Sequence, residues 1–121
     1  MTAQTIEELA SKHCGPCEGS VERFTPKQAR SQLESIPGWQ LTDDGSRIRK
    51  DWYVKDFASG MAFLTGVAGL AEREGHHPDV HLINYRHVRI ELSTHAIDGL
   101  SENDFVLAAK IDRLPVRLKD A

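Results

Sequence analysis

The chain has 121 residues, and its hydrophobic share of 40% and charged share of 27% are those of an ordinary globular domain. This length allows one hydrophobic core and excludes two. The formal net charge of −3, with acidic and basic residues mixed along the chain, argues against direct binding to nucleic acid. No apolar stretch approaches the length of about 20 residues that spans a bilayer, and the N-terminus has no export signal. We therefore expect a cytoplasmic protein that does not enter a membrane.

Residues 1–22 show no strong hydrophobic period and are predicted to form a flexible arm with at most a short helix, ahead of a single domain at 23–121. The arm carries Cys14 and Cys17 in a C-x-x-C pair, a spacing found in redox dithiols and zinc sites. A redox pair of this kind follows a buried strand, which is not predicted here. A structural zinc takes four ligands, and with His13 the pair supplies three at most. We therefore favour two thiols without a bound metal.

The next elements are predicted to be a helix and a β-hairpin. Thr25 and Gln28 form a capping-box pattern that starts a helix over about 25–36, and Pro26 suits its first turn. Strands are predicted at about 38–43 and 46–54, because a polar turn with a glycine separates two alternating patterns.

A long helix is predicted at about 57–74, with Asp56 as its cap. Apolar residues recur in it at helical spacing, and we interpret this stripe as the face that packs in the core. The stripe consists of Phe57, Met61, Leu64, Ala68 and Ala71.

A second hairpin is predicted at about 80–84 and 87–94, with Tyr85 as a packing residue near its turn. Ser101 and Asp104 form another capping pattern, which starts the last helix. The element order is α-β-β-α-β-β-α. It predicts an α+β fold, a four-stranded antiparallel sheet with helices packed on one face.

Three histidines are the candidate catalytic residues. His76 and His77 follow the long helix directly, and His95 follows the second hairpin. Because imidazole changes its charge near neutral pH, histidines gathered in one cleft can exchange protons with a bound substrate. Glu72 lies four residues before His76, so we expect it to reach that ring and fix its orientation. Pro78 stops the helix and holds His77 in an extended backbone.

These residues belong to a longer frame with fixed gaps, Glu72-x3-His76-His77-Pro78-x6-Tyr85-x9-His95-x8-Asp104. The frame resembles the signature of the pterin-4a-carbinolamine dehydratases, and the resemblance extends from about Phe57 to Leu114. It implies the same α+β fold, assembled as a homodimer or homotetramer. It also implies a pterin substrate, 4a-hydroxytetrahydrobiopterin, which the family dehydrates to quinonoid dihydropterin. This step recycles tetrahydrobiopterin, so a functional link to an aromatic amino acid hydroxylase is expected.

The resemblance also implies a role for each residue of the site. The reaction needs an acid at the C4a hydroxyl and a base near N5, with neither metal nor redox cofactor. By resemblance, His76 and His95 are acid/base groups on the two sides of the pterin, and His77 binds and orients the ring. Glu72 supports the histidines. Asp104 is either a helix cap or a member of the substrate site.

Two other functions compete with catalysis. The first is a non-catalytic binding module of the same fold, either a dimerisation partner of a transcription factor or a Rubisco assembly factor. Relatives without dehydratase activity need not keep the three histidines, and their presence here favours catalysis. The second is a metal site that also uses His81 and His87. Adjacent histidines rarely reach one tetrahedral ion, so we interpret these two as exposed strand residues.

Overall fold

The computed structural model describes residues 3–15 and 22–120 and confirms the α+β class. Its elements, in chain order, are α1 (Ile6–Ala10), α2 (Pro26–Leu33), β1 (Gln40–Leu41), β2 (Ile48–Tyr53), α3 (Phe57–Glu74), β3 (Asp79–Ile83), β4 (His87–Leu92), a 3-10 helix (His95–Ile97) and α4 (Glu102–Ile111). The short helix α1 and the 3-10 turn are added to the predicted order. Among these residues, no helix combines the length and the apolar character that crossing a membrane requires.

The four strands form one antiparallel sheet, as predicted, in the order β1-β2-β4-β3. The central pair, β2 and β4, runs in register from Ile48 opposite Leu92 to Tyr53 opposite His87. Successive side chains of a strand point to opposite faces of a sheet. Val88, Ile90 and Leu92 of β4 therefore share one face and are fully buried beneath the helices, while the opposite face is polar.

The core lies between the apolar face of this sheet and the helices, and α4 is its most buried helix. Residues 103–109 of α4 are all buried, including the polar side chains of Asn103 and Asp104. A helix with buried residues on all sides lies inside the domain rather than on its surface. Asn103 and Asp104 must therefore find hydrogen-bond partners within the protein.

Helix α3 spans the predicted residues, but the predicted buried stripe is wrong at three of its five positions. Phe57, Met61 and Ala68 are exposed, and the helix packs through a neighbouring face. That face consists of Ser59, Gly60, Phe63, Val67, Leu70 and Ala71. A Cβ atom added to Gly60 would lie 3.1 Å from Leu82 of β3. The glycine therefore lets α3 come close to the sheet on this side.

The described part of the predicted arm, residues 3–15, lies against α2 and α4 rather than away from the domain. Leu9 of α1 is fully buried and belongs to the hydrophobic core. The backbone N–H of Gln4 donates to Gln32 Oε1 (3.0 Å), and the Gln32 amide donates back to the Gln4 carbonyl (2.8 Å). These residues are thus attached to the domain, whose predicted boundary at residue 23 stays a prediction.

Candidate active site

The end of α3 determines where the two adjacent histidines lie. Gly75 takes a left-handed backbone (φ 66°), which suits glycine, and closes the helix by donating its N–H to the Ala71 carbonyl. The chain therefore leaves the helical path before His76. Pro78 follows His77, and β3 begins at the next residue. The two rings consequently sit on a turn between α3 and the edge strand, and they face different surroundings.

His76 points inward and pairs with a buried carboxylate. Its ring is 6% exposed, and its Nε2 lies 2.7 Å from Oδ1 of Asp104, which is completely buried. The other oxygen, Oδ2, accepts hydrogen bonds from the Thr94 hydroxyl (2.9 Å) and the Ser101 backbone N–H (3.0 Å). Asp104 is therefore both the predicted helix cap and a partner of a candidate catalytic histidine.

The hydrogen bonds of Asp104 also reach the segment that carries His95. Thr94 gives its single hydroxyl hydrogen to Asp104, so Ser101 is the donor in the 2.8 Å contact between the two hydroxyls. The Thr94 N–H donates to the Gly99 carbonyl (2.7 Å), which closes the loop that contains His95. One buried carboxylate thus holds the turn after α3 and the segment after β4 together.

The three predicted histidines line one cavity. Its volume is about 290 Å³, and it is lined by Gly75, His76, His77, Pro78, Asp79, Ser93, His95 and Ala96. His95 lies in the exposed 3-10 helix rather than at the end of β4, where the sequence placed it. The cavity therefore offers three imidazoles to a bound molecule, one from a buried position and two from exposed ones.

Glu72 pairs with His77, whereas the sequence predicted a pair with His76. The distance from Glu72 Oε2 to His77 Nε2 is 2.7 Å, and both side chains are mostly exposed, His77 at 64%. An exposed ion pair of this kind contributes little to stability. Its consequence is local, since the carboxylate orients a ring that would otherwise move freely at the mouth of the cavity.

Two smaller cavities share lining residues with the histidine cavity. A mainly apolar one of about 220 Å³ shares His77 and Pro78 with the histidine cavity and continues along α3 to Leu64. A polar one of about 170 Å³ shares Ser93 and His95 and reaches Arg47. The histidine cavity is therefore bordered by an apolar cavity beside His77 and by a polar one beside His95.

The remaining residues singled out from the sequence lie elsewhere. Tyr85 was predicted to pack near the turn of the second hairpin, but it is exposed there, at the opposite end from the cavity. His87 lies on the polar face of the sheet, with Nε2 2.6 Å from Asp51 Oδ1. Cys14 lies 3.6 Å from the carbonyl of Asn103, and Cys17 falls outside the described residues. Within residues 3–15 and 22–120, no group of histidine, cysteine and carboxylate side chains could hold a metal ion.

Thr94 and Ser101 are not among the site residues that the sequence predicts. Ser101 is predicted only as a helix cap, and the same capping pattern brings Asp104 towards the histidines. The buried position of Thr94 between β4 and a loop has no short-range signal in the sequence. Its role depends on the contact with α4, which only the fold provides.

Comparison with known proteins identifies relatives of this chain by sequence. The family model described as pterin 4 alpha carbinolamine dehydratase matches residues 22–114. The chain is 44% identical over 115 residues to pterin-4-alpha-carbinolamine dehydratase 2, mitochondrial, of Arabidopsis thaliana, which covers 93% of the chain and 62% of the plant protein. It is 43% identical over 110 residues to a putative pterin-4-alpha-carbinolamine dehydratase of Nitrosospira multiformis, covering 91% of the chain and 95% of that protein. The chain thus spans less than two thirds of the plant relative's length.

Two solved structures share the fold. The transcriptional coactivator/pterin dehydratase from Brucella melitensis superposes with a TM-score of 0.70 at 31% identity, covering 75% of this chain and 96% of that chain. A pterin dehydratase-like protein identified as a RuBisCO assembly factor in the alpha-carboxysome has a TM-score of 0.53 at 24% identity, covering 64% and 88%. The second likeness concerns the fold alone.

Proposed function

This chain belongs to the pterin 4 alpha carbinolamine dehydratase family, and we propose from this that it is a lyase that removes water from 4a-hydroxytetrahydrobiopterin. The product is quinonoid dihydropterin. The observation that carries the proposal is one cavity lined by His76, His77 and His95, with the first ring held by a buried carboxylate.

The dehydration is balanced in protons and involves no change of oxidation state. The bond from C4a to the hydroxyl oxygen breaks, and the leaving oxygen takes a proton from an acid to depart as water. The proton on N5 passes to a base, and its electron pair forms the C4a–N5 double bond. A site for this reaction needs one proton donor and one proton acceptor on the two sides of the same carbon.

His76 is suited to one of these roles because its orientation is fixed. Asp104, as an ionised carboxylate, can only accept hydrogen bonds, so Nε2 of His76 carries the hydrogen in the 2.7 Å contact. In the neutral ring Nδ1 is then the basic nitrogen. When His76 takes up a proton, the carboxylate stabilises the resulting imidazolium.

His95 and His77 complete the proposed site. His95 is held through Thr94 and exposed to the cavity, so it serves as the second acid/base group. His77 and its partner Glu72 lie at the mouth, between the histidine cavity and the apolar one. We assign His77 to binding and orienting the pterin ring. The homodimer or homotetramer, the link to an aromatic amino acid hydroxylase and the cytoplasmic location stay predictions.

The proposal is tested by mixing the protein with chemically generated 4a-carbinolamine in a stopped-flow spectrometer. We expect the formation of quinonoid dihydropterin to be faster with protein than with buffer, in proportion to protein concentration. A rate equal to that of buffer would favour the non-catalytic binding module instead. An equal concentration of heat-denatured protein is the control for catalysis by side chains that does not require the folded site.

A further inference from the structure

Glu74, the last residue of α3, has a buried carboxylate that holds the N-terminal segment. Its side chain is 5% exposed. Oε1 accepts a hydrogen bond from the backbone N–H of Cys14 (2.8 Å), and Oε2 lies 3.2 Å from His13 Nδ1. Lys110 of α4 also donates to Oε2 (2.9 Å). Glu74 thus joins the N-terminal segment to α3 and α4 at the same point.

Asn103, in the first turn of α4, holds the next residue of the segment. Its Oδ1 accepts from the backbone N–H of Gly15 (2.8 Å), and its Nδ2 donates to the Gly15 carbonyl (3.0 Å). Asn103 is itself buried. Two hydrogen bonds in opposite directions fix both the position and the orientation of the Gly15 backbone.

These two anchors adjoin the two partners of the central hydrogen bond in the site. Glu74 precedes His76 by two residues, and Asn103 directly precedes Asp104. The segment His13–Gly15 therefore connects the same two helix ends that the His76–Asp104 hydrogen bond joins. It also lies outside the region that the family model matches.

We propose that the segment His13–Gly15 braces the active site, and that Glu74 and Asn103 are positioning residues for His76. The inference rests on the proposed dehydratase function. Gly75 separates Glu74 from His76 and has no side chain to resist rotation. Without the brace, the end of α3 can move relative to α4, and the His76 ring moves with it. A displacement of about 1 Å at a reacting group can cost about 100-fold in rate.

The test is the double variant Glu74→Ala/Asn103→Ala in the full chain, assayed by stopped flow with 4a-carbinolamine. We expect kcat to fall between about 10-fold and 100-fold, the range that such misplacement produces. KM should change little, because the ring contacts assigned to His77 remain. The milder variant Glu74→Gln keeps a neutral acceptor for the Cys14 N–H and should retain most of the wild-type kcat.

Asp112→Ala is the matched control. Asp112 also has a carboxylate little exposed to solvent, which accepts from Lys50 (2.8 Å) and from the Trp39 indole N–H (3.0 Å). It lies at the other end of α4, outside the residues that line the histidine cavity. Its removal should destabilise the protein to a similar degree while kcat stays near the wild-type value.

A second readout separates positioning from general destabilisation. The ring nitrogen and hydrogen signals of His76 in long-range ¹H–¹⁵N NMR spectra should change in the double variant and stay unchanged in Asp112→Ala. The brace is disproved if the double variant keeps both kcat and the His76 signals, or if Asp112→Ala lowers kcat equally. Should the double variant fail to fold, Asn103→Ala alone is expected to show the same changes in smaller degree. If the wild type lacks dehydratase activity, the proposed function fails, and the NMR comparison still decides whether the brace positions His76.

Discussion

At the scale of single residues, the three histidines differ in what holds them. His76 is 6% exposed and contacts the buried carboxylate of Asp104, which accepts hydrogen bonds from three donors. His77 is 64% exposed and contacts the exposed carboxylate of Glu72. Removing one partner of a buried charged hydrogen bond lowers the free energy of unfolding strongly, whereas an exposed ion pair contributes little to it. Substitution of Asp104 should therefore have a much larger effect than substitution of Glu72.

We predict that Asp104→Asn lowers both the rate and the stability. The amide oxygen will face the two donors, Thr94 and Ser101, because an NH₂ group there would oppose them. The NH₂ group then faces His76 and donates to Nε2, which moves the ring hydrogen to Nδ1 and removes the proposed basic nitrogen. The rate should fall by about 100-fold or more, and the free energy of unfolding by about 1 to 2 kcal/mol, because charge-assisted hydrogen bonds become neutral ones.

Stopped-flow rates and urea denaturation measure the two effects, and Glu72→Gln is the control. That exposed substitution should change the free energy of unfolding by less than about 1 kcal/mol. A wild-type rate in Asp104→Asn would show that the buried pair plays no part in proton transfer.

The sequence identified the candidate histidines but paired Glu72 with the wrong ring. The expectation applied the helical spacing of four residues, which places side chains on one face, to a residue just beyond the predicted end of the helix. Gly75 instead turns the backbone into the left-handed region, so that His76 enters the core and His77 approaches Glu72. The contact between His76 and Asp104 joins residues 28 apart in the chain. It depends on how α4 packs against the end of α3, which no local sequence pattern predicts.

At the scale of helices and strands, local signals predicted where elements begin better than which face they bury. Asp56 caps α3, and capping boxes at Thr25 and Ser101 start α2 and α4 as expected. These signals act within three or four residues. The buried face of α3 is instead selected by the sheet, since Gly60 permits contact with Leu82, and Phe57 is left exposed.

The end of α3 gives a prediction about stability and pH. Burial raises the pKa of Glu74, but the hydrogen bonds from Cys14, Lys110 and His13 outweigh it and lower the pKa from 4.5 to about 2. A carboxyl group with a lowered pKa in the folded state contributes stability that is present above its unfolded pKa and lost as pH falls. The contribution of Glu74 should therefore disappear between pH about 4.5 and about 2.

Urea denaturation of the wild type and Glu74→Gln at a series of pH values measures this contribution. The difference in free energy of unfolding should shrink steadily as the pH falls from about 4.5 towards about 2. Other carboxylates titrate in both proteins and cancel in the difference. A difference that does not depend on pH would show that the negative charge of Glu74 contributes nothing to stability.

At the scale of the whole molecule, the element pattern predicted the class of fold and the antiparallel sheet. It did not predict that residues 3–15 pack against the domain with Leu9 in its core, because α1 has five residues and a weak periodic signal. The hydrogen bonds of the brace join Cys14 to Glu74, 60 residues apart in the chain, and Gly15 to Asn103, 88 residues apart. No local sequence pattern predicts contacts over such separations, so the sequence predicted a flexible arm with at most a short helix.

We expect Leu9→Ala to destabilise the entire domain. Leu9 is fully buried against the same core as α4, and removing a buried leucine side chain costs about 2 to 5 kcal/mol. Urea denaturation followed by circular dichroism should show one cooperative transition at lower urea. Met61→Ala, an exposed site on α3, should change stability far less. Equal, small effects from both substitutions would mean that α1 adds nothing to the core.

The most direct test of the catalytic proposal is the dehydration rate of the double variant His76→Ala/His95→Ala. Its folded state is first checked by circular dichroism and urea denaturation against the wild type. General acid–base catalysis contributes about 10² to 10⁴ in rate, and we expect a loss of that size under stopped-flow conditions. A double variant that is folded and matches the wild-type rate would contradict histidine catalysis in this cavity.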